Sequence, residues 1–150
     1  MSLHEAEIDW SRDGTPFGAD YDRTHVWRFD GGVEVPASAA PSLHGDATRV
    51  DPEEAFVASI SSCHMMWFLH LAAAQGLVVD RYLDRAVGTM ARAARQRLWI
   101  TTVDLRPQVT WSGEAPPPEV VEDLHRRSHE RCFIANSVRS TITVHGTAFH

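Results

Sequence analysis

Two cysteines are the residues of this 150-residue chain whose side chains best suit chemistry. Cys63 lies in the segment Ser61-Ser62-Cys63-His64, and Cys132 follows 69 positions later. Two thiols are too few for a disulfide scaffold in a chain of this size, so a reactive role is the alternative to simple packing. Free cysteine is among the most often buried residue types, so packing alone also explains Cys63 at this point.

A reactive Cys63 needs a positive charge close to its sulfur. Backbone N–H groups and the helix dipole stabilise a thiolate in the first turn of a helix. Cys63 lies beyond the first turn of its predicted helix and does not gain this stabilisation. The adjacent His64 points about 100° away around the helix and is a poor direct partner. An arginine from another element is the better candidate because a guanidinium stays charged when buried. Arg23 and Arg28, near a predicted strand, both qualify.

A set of candidate metal ligands lies on the predicted C-terminal helix. His125, His129 and Cys132 are spaced at i, i+4 and i+7, which places them on one helix face. Zinc and copper accept imidazole and thiolate ligands. The sequence offers no evident fourth ligand, and histidines on the solvent face of a short helix are common. A metal site is therefore an alternative to a pair of reactive thiols.

The N-terminal third of the chain is predicted to form β-structure. Partial alternation of apolar and polar residues predicts strands over Glu5 to Trp10 and Thr24 to Phe29. Asp30-Gly31-Gly32 tolerates positive φ angles, so Val33-Glu34-Val35 is predicted to return as the second strand of a hairpin. Residues 36–50 show no period and are predicted to form a covering loop.

The longest apolar run predicts a central helix that carries Cys63. Asp51-Pro52-Glu53-Glu54 provides an aspartate cap, a proline at the first helical position and acids in the first turn. The helix is predicted to run to about Gln75, with Gly76 as the stop. It is apolar almost all round, which indicates burial on more than one side. Polar residues interrupt the run from Ala55 to Val79, so a membrane span is not predicted.

The C-terminal half is predicted to combine strands with a second helix. Val78 to Arg92 and Leu98 to Trp111 form a predicted antiparallel pair that turns at Ala94 to Arg97. A helix is predicted from Glu119 to about Arg131, and a last strand from Ser140 to Gly146. No repeat or linker separates these elements, so residues 1–150 are predicted to form a single α+β domain.

Composition and charge exclude several classes of protein. The chain is 43% hydrophobic, which is inconsistent with a disordered protein. Acidic residues outnumber basic ones by 20 to 14, and every base is arginine, so a nucleic-acid partner is not expected. The first residues lack both a basic and an apolar region, so no export signal is predicted and a cytoplasmic location is expected.

Four segments together resemble the OsmC/Ohr family of thiol-dependent hydroperoxide reductases. The specific features are the spacing from Glu53 to Cys63 and the late second cysteine. The resemblance covers nearly the whole chain, and the segments that carry it are Tyr21–Gly32, Asp51–Phe56, Ala58–Cys63 and His129–Ser137.

This resemblance implies a fold and a role for four residues. The implied OsmC-like fold wraps antiparallel sheets around two long central helices in an intertwined homodimer, with active sites at the subunit interface. Cys63 matches the peroxidatic cysteine of the family and Cys132 the resolving cysteine. Arg23 matches the arginine that activates the thiolate, and Glu53 matches the carboxylate that orients this arginine. Ten helical residues separate Glu53 from Cys63 by about 15 Å, so a second subunit would help one arginine to serve both.

The implied reaction reduces an organic hydroperoxide to an alcohol through a Cys63 sulfenic acid and a Cys63–Cys132 disulfide. It requires no metal or organic cofactor, and a dithiol such as a dihydrolipoyl protein is the implied reductant. His64-Met65-Met66-Trp67 follows the first cysteine where the organic hydroperoxide branch commonly has an aromatic and then small residues. The chain is therefore placed in the broader OsmC-like group, in which a non-catalytic binding domain is the alternative function.

Overall fold

The structure is a computed structural model that describes residues 1–92 and 97–144 and the backbone of residues 147–149. These residues form β-strands, two α-helices and short 3₁₀ turns, in agreement with the predicted α+β class. The chain divides into two units, Met1–Ala55 and Phe56–His150. The prediction of one domain over residues 1–150 stays a prediction.

The N-terminal unit contains a three-stranded antiparallel sheet. Its strands are β1 (Ala6–Asp9), β2 (His25–Phe29) and β3 (Glu34–Ala37), in the order β1-β2-β3. The predicted hairpin between β2 and β3 is confirmed, and Gly32 adopts the positive φ that its turn requires, at 79°. The predicted loop over residues 36–50 is wrong at its ends. Pro36 belongs to β3, which is an edge strand where a missing N–H is tolerated, and Val50 bridges to Ala37.

Helix α1 (Pro52–Ala74) carries Cys63 and has the predicted signals at both ends. The Glu54 N–H donates to Oδ1 of Asp51 at 2.7 Å, and the Asp51 N–H donates to Oε2 of Glu54 at 3.3 Å, which is a capping box. Gly76 adopts a φ of 72° just after the helix. The Leu77 N–H then donates to the Ala72 carbonyl at 3.0 Å, which closes the last turn.

The predicted antiparallel pair after α1 is present but divided into four strands. Both long segments are interrupted at the same level, where the Arg106 N–H donates to Oδ1 of Asp84 at 2.7 Å. The predicted turn over Ala94 to Arg97 lies largely outside the described residues. The strands are β4 (Val79–Asp84), which pairs with β7 (Pro107–Trp111), and β5 (Val87–Arg92), which pairs with β6 (Leu98–Leu105).

Helix α2 spans Pro118–Arg131, close to its predicted range. The predicted last strand is observed as β8 (Thr141–Val144), which lies parallel to β6. A further strand, β9 (Thr147–Phe149), pairs with β8 and was not predicted. Three residues are too few to show the two-residue period of a strand.

Helix α1 contributes to two hydrophobic clusters in the C-terminal unit. Ile60 packs in a cluster with residues of β6 and β8, whereas Phe68, Leu71 and Ala72 pack with Leu124 of α2. By length and composition alone, α1 would suffice to cross a membrane. Its residues in both clusters instead favour the predicted core helix.

Candidate active site

The structure brings together the two cysteines that the sequence analysis singled out. Cys63 lies in the middle of α1 and Cys132 at the end of α2, and their side chains are close enough for Cys63 to raise the pKa of Cys132. Both are free thiols and both are buried, with 7% of Cys63 and none of Cys132 exposed. Two neighbouring free thiols are the arrangement from which a disulfide can form.

The chain that follows α2 fixes the position of Cys132. Cys132 is the C-cap of the helix and has extended backbone angles, with φ at −66° and ψ at 111°. Its N–H donates to the His129 carbonyl at 3.2 Å, and its carbonyl accepts the Asn136 N–H at 3.0 Å. The Ala135 N–H donates to the Cys132 sulfur at 3.3 Å. These bonds hold the thiol against a short turn rather than on a helical face.

The surroundings of Cys132 keep its thiol protonated. Burial, followed by the hydrogen bond to Cys63, raises the pKa of Cys132 to about 12, although the N–H of Ala135 acts in the opposite direction. Because a thiolate rather than a thiol is the nucleophile, Cys132 is poorly suited to make a first attack on a substrate. Cys132 is suited to react in a second step, after Cys63, and until then it remains a protonated thiol.

Arg23 and Glu53, the other two predicted site residues, belong to the N-terminal unit. The Arg23 guanidinium donates to the carbonyls of Tyr21 at 2.8 Å and Ala19 at 3.0 Å, and it lies 4.6 Å from the centre of the Tyr21 ring. Glu53 is half-buried in the first turn of α1, where Glu54 completes the cap in its place. The pairing of Arg23 and Glu53 with Cys63 stays a prediction.

Arg28, the alternative cation, is engaged elsewhere. In the antiparallel register it stands between Glu7 and Glu34, and it forms ion pairs with Glu7 at 2.7 Å, Asp9 at 2.8 Å and Glu34 at 2.6 Å. Hydrogen bonds to Asp9, Glu7 and Glu34 raise the pKa of Arg28. Three carboxylates neutralise this charge, so Arg23 is the better candidate for the partner of a thiolate.

Two histidines form a buried pair that the sequence analysis did not predict. Nε2 of His64 and Nδ1 of His125 are 3.1 Å apart, and the rings stack with an angle of 13° between their planes. Only 1% of His64 and 3% of His125 is exposed. The ring of Phe68 lies 4.5 Å from that of His125. Apolar neighbours signalled burial only for His64, because His125 is followed by two arginines.

The position of His125 in this pair argues against the alternative of a metal site formed by His125, His129 and Cys132. His125 faces α1, and Cys132 has left the helical conformation, so the i, i+4, i+7 spacing with His129 does not place three ligands on one face. Within residues 1–92 and 97–144, no group of three or more His, Cys, Asp or Glu side chains is arranged to hold a metal ion.

Aromatic and apolar side chains lie next to the cysteines along both chain segments. Trp67 is one turn after Cys63 on α1, and Phe133 directly follows Cys132. Their rings meet edge to face at 5.7 Å, and the guanidinium of Arg131 lies 5.6 Å from the Trp67 ring. Phe133 is 70% exposed. The ring contact therefore joins the two chain segments that carry the cysteines.

Comparisons with known proteins agree with this fold. Residues 45–145 match the family model described as OsmC-like protein. A solved OsmC-like protein of unknown function from Vibrio cholerae is 44% identical to this chain, with a TM-score of 0.92 over 96% of this chain and 98% of that one. No curated protein matches the sequence.

More distant structures share the fold alone. An organic hydroperoxide resistance protein OsmC from Legionella pneumophila is 16% identical, over 96% of this chain and 94% of that one. An organic hydroperoxide resistance protein from Elizabethkingia anophelis is 18% identical, over 96% and 93%. Both have a TM-score of 0.71. The two-helix α+β architecture, the family model and the 44% identity lead to one conclusion: this chain belongs to the OsmC-like family.

Proposed function

We propose that this protein is a thiol-dependent peroxidase that reduces organic hydroperoxides to alcohols. The observation that carries the proposal is the proximity of two buried free thiols, Cys63 and Cys132. Membership of the OsmC-like family supports the substrate class, because relatives with this fold are named organic hydroperoxide resistance proteins. Cys63 is proposed as the peroxidatic cysteine and Cys132 as the resolving cysteine.

In the first proposed step, the Cys63 thiolate attacks the terminal oxygen of the hydroperoxide. The O–O bond breaks, an S–O bond forms, and Cys63 becomes a sulfenic acid. The leaving alkoxide takes up a proton and is released as the alcohol. Sulfur is oxidised by two electrons, and the peroxide is reduced by the same two.

In the second proposed step, the sulfur of Cys132 attacks the sulfenic acid. An S–S bond forms between Cys63 and Cys132, and the hydroxyl leaves with the thiol proton as water. A dithiol reductant, such as a dihydrolipoyl protein, then restores both thiols by exchange and is itself oxidised to a disulfide. The proximity of the two side chains favours this step.

Arg23 is proposed to stabilise the Cys63 thiolate, and Glu53 to orient the arginine. Both roles follow from the family resemblance, and the planar guanidinium can bind a thiolate and a carboxylate at once. We propose that the working form is an intertwined homodimer in the cytoplasm. Sedimentation at several protein concentrations would test the dimer, and a sedimenting species of one chain at all of them would contradict it.

Apolar hydroperoxides are the proposed substrates in preference to hydrogen peroxide. Trp67 and Phe133 lie beside the two cysteines and offer aromatic surface to an alkyl or aryl group. Burial of an alkyl tail contributes about 0.8 kcal/mol per CH₂ group. Equal rates with hydrogen peroxide and a long-chain hydroperoxide would contradict this preference.

The deciding experiment counts thiols in the reduced protein before and after one equivalent of cumene hydroperoxide. The wild type is expected to lose two thiols. Cys132→Ser is expected to consume peroxide once and stop at the sulfenic acid, whereas Cys63→Ser is expected to consume none. If the wild type loses no thiol, the protein is a non-catalytic domain with the family fold. If Cys63→Ser consumes peroxide and Cys132→Ser does not, the two roles are reversed.

A further inference from the structure

The buried His64–His125 pair joins the same two helices that carry the cysteines. His64 follows Cys63 on α1, so both side chains belong to the same helical turn. His125 lies on α2, and Cys132 is the C-cap residue of the same helix, seven positions later. The hydrogen bond between the two imidazoles therefore joins the two elements that carry the two thiols.

The other polar side chains of α2 mostly bond to α2 itself. Arg126 pairs with Asp123 and, at 2.6 Å, with Glu130, and all three belong to this helix. The buried hydroxyl of Ser128 donates to the Leu124 carbonyl at 2.6 Å. These bonds stabilise α2 but do not determine how it is turned towards α1. The hydrogen bond from His125 to His64 does constrain the rotation of α2 relative to α1, because it is directional and joins the two helices.

Two buried imidazoles are not the most stabilising choice at this position. Each ring must lose its contacts with water, whereas an apolar pair would add to the neighbouring cluster of Phe68 and Leu124. Buried polar pairs are better explained by the one geometry that they select. The 3.1 Å bond and the 13° stacking angle together fix both the distance and the rotation between the helices.

We propose that His64 and His125 are positioning residues that set the approach of the Cys63 and Cys132 sulfurs, and so the ease with which the disulfide forms. This inference rests on the proposed function only in assuming that the disulfide is used. A displacement of about 1 Å between reacting groups lowers a rate by as much as ~100-fold. Loss of the bond is therefore expected to lower the effective concentration of the two thiols about tenfold.

The test uses substitutions that keep or move the bonding atom. The side-chain amide of glutamine lies about as far from the backbone as Nε2 of histidine, and the amide of asparagine lies about as far as Nδ1. His64→Gln and His125→Asn therefore keep a donor and acceptor where the bond is made. His64→Asn and His125→Gln are the mismatched controls, since they carry the same amide at a different distance from the backbone.

The measurement is the equilibrium between the reduced protein and oxidised dithiothreitol, which accepts two electrons as the Cys63–Cys132 disulfide forms. The matched pair, His64→Gln and His125→Asn, is expected to stay within about twofold of the wild-type effective concentration. The mismatched pair is expected to lose about tenfold. Denaturant unfolding of the four reduced variants provides the structural control.

Equal effective concentrations in the matched and mismatched variants would overturn the proposal. So would losses that follow only the unfolding free energies of the variants. Consumption of cumene hydroperoxide by the wild type is measured in parallel. A tenfold difference among variants without any peroxidase activity would uphold the positioning role and refute the proposed function. Peroxidase activity without that difference among the variants would uphold the proposed function and refute the positioning role.

Discussion

The high pKa of Cys132 predicts that the rate of disulfide formation depends on pH. The nucleophile of the second step is the Cys132 thiolate. Burial is the larger cause of the raised pKa, and it persists after Cys63 has been oxidised. The rate of disulfide formation is therefore expected to rise with pH throughout the range in which the protein stays folded.

The magnitude follows from the two pKa values. In the reduced protein, where the pKa of Cys132 is about 12, only about one Cys132 in 100,000 is a thiolate at pH 7, and the fraction rises tenfold per pH unit. An ordinary cysteine, with a pKa near 8.5, is about 3% ionised at pH 7 and levels off above pH 9. The fraction of thiolate at pH 7 therefore differs by about 3,000-fold between these two pKa values. Above pH 9, the thiolate fraction still rises with pH in the first case and is nearly constant in the second.

The assay is a stopped-flow experiment in two stages. The protein is oxidised with one equivalent of cumene hydroperoxide at pH 6, where the second step is slow, and is then mixed into buffers from pH 6 to pH 10. Loss of the sulfenic acid is followed with a trapping reagent. A rate that rises about tenfold per unit up to pH 10 is expected, and Cys132→Ser serves as the control with no such rise. A plateau near pH 8.5 would refute the reasoning, because it would show an ordinary thiol at Cys132.

Three further predictions concern single substitutions. Arg23→Gln is expected to lower the rate of peroxide reduction at least tenfold, while Arg28→Gln, which removes an arginine held by carboxylates, leaves it within about twofold; equal losses in a peroxide-consumption assay would contradict the role of Arg23. Phe133→Ala is expected to raise the KM for cumene hydroperoxide and not for hydrogen peroxide, since only the apolar substrate contacts this exposed ring, and unchanged selectivity in steady-state kinetics would exclude that contact. Asp51→Ala is expected to lower the free energy of unfolding by about 1 kcal/mol in a denaturant titration because the capping box of α1 is lost, and an unchanged midpoint would show that the cap is not needed.

Features set by neighbours in the sequence were predictable. The capping residues of α1 lie three positions apart, and the bond that closes the helix spans only Ala72 to Leu77, so short sequence motifs specify both ends. Features set by residues far apart were not predictable. The His64–His125 bond joins residues 61 positions apart, and no local period contains it.

The candidate site shows the same division. Reasoning from residue types required a cation near Cys63 but could not separate Arg23 from Arg28. The distinction came from strand register, which places Arg28 among three carboxylates. The partnership of Cys63 with Cys132 was likewise implied only by the family resemblance, and the structure then placed the thiols together.

The proposed disulfide between Cys63 and Cys132 also links the redox state of the protein to the entropy of its unfolded chain. The two residues lie 69 positions apart, so a disulfide between them closes nearly half of the chain into a loop. Closure of a loop of that length stabilises a folded protein by about 4 kcal/mol, through the conformations it removes from the unfolded state. The oxidised form is therefore expected to unfold at a higher temperature than the reduced form. Thermal unfolding, and the proteolysis that follows it, would then be concentrated in the reduced half of the reaction cycle.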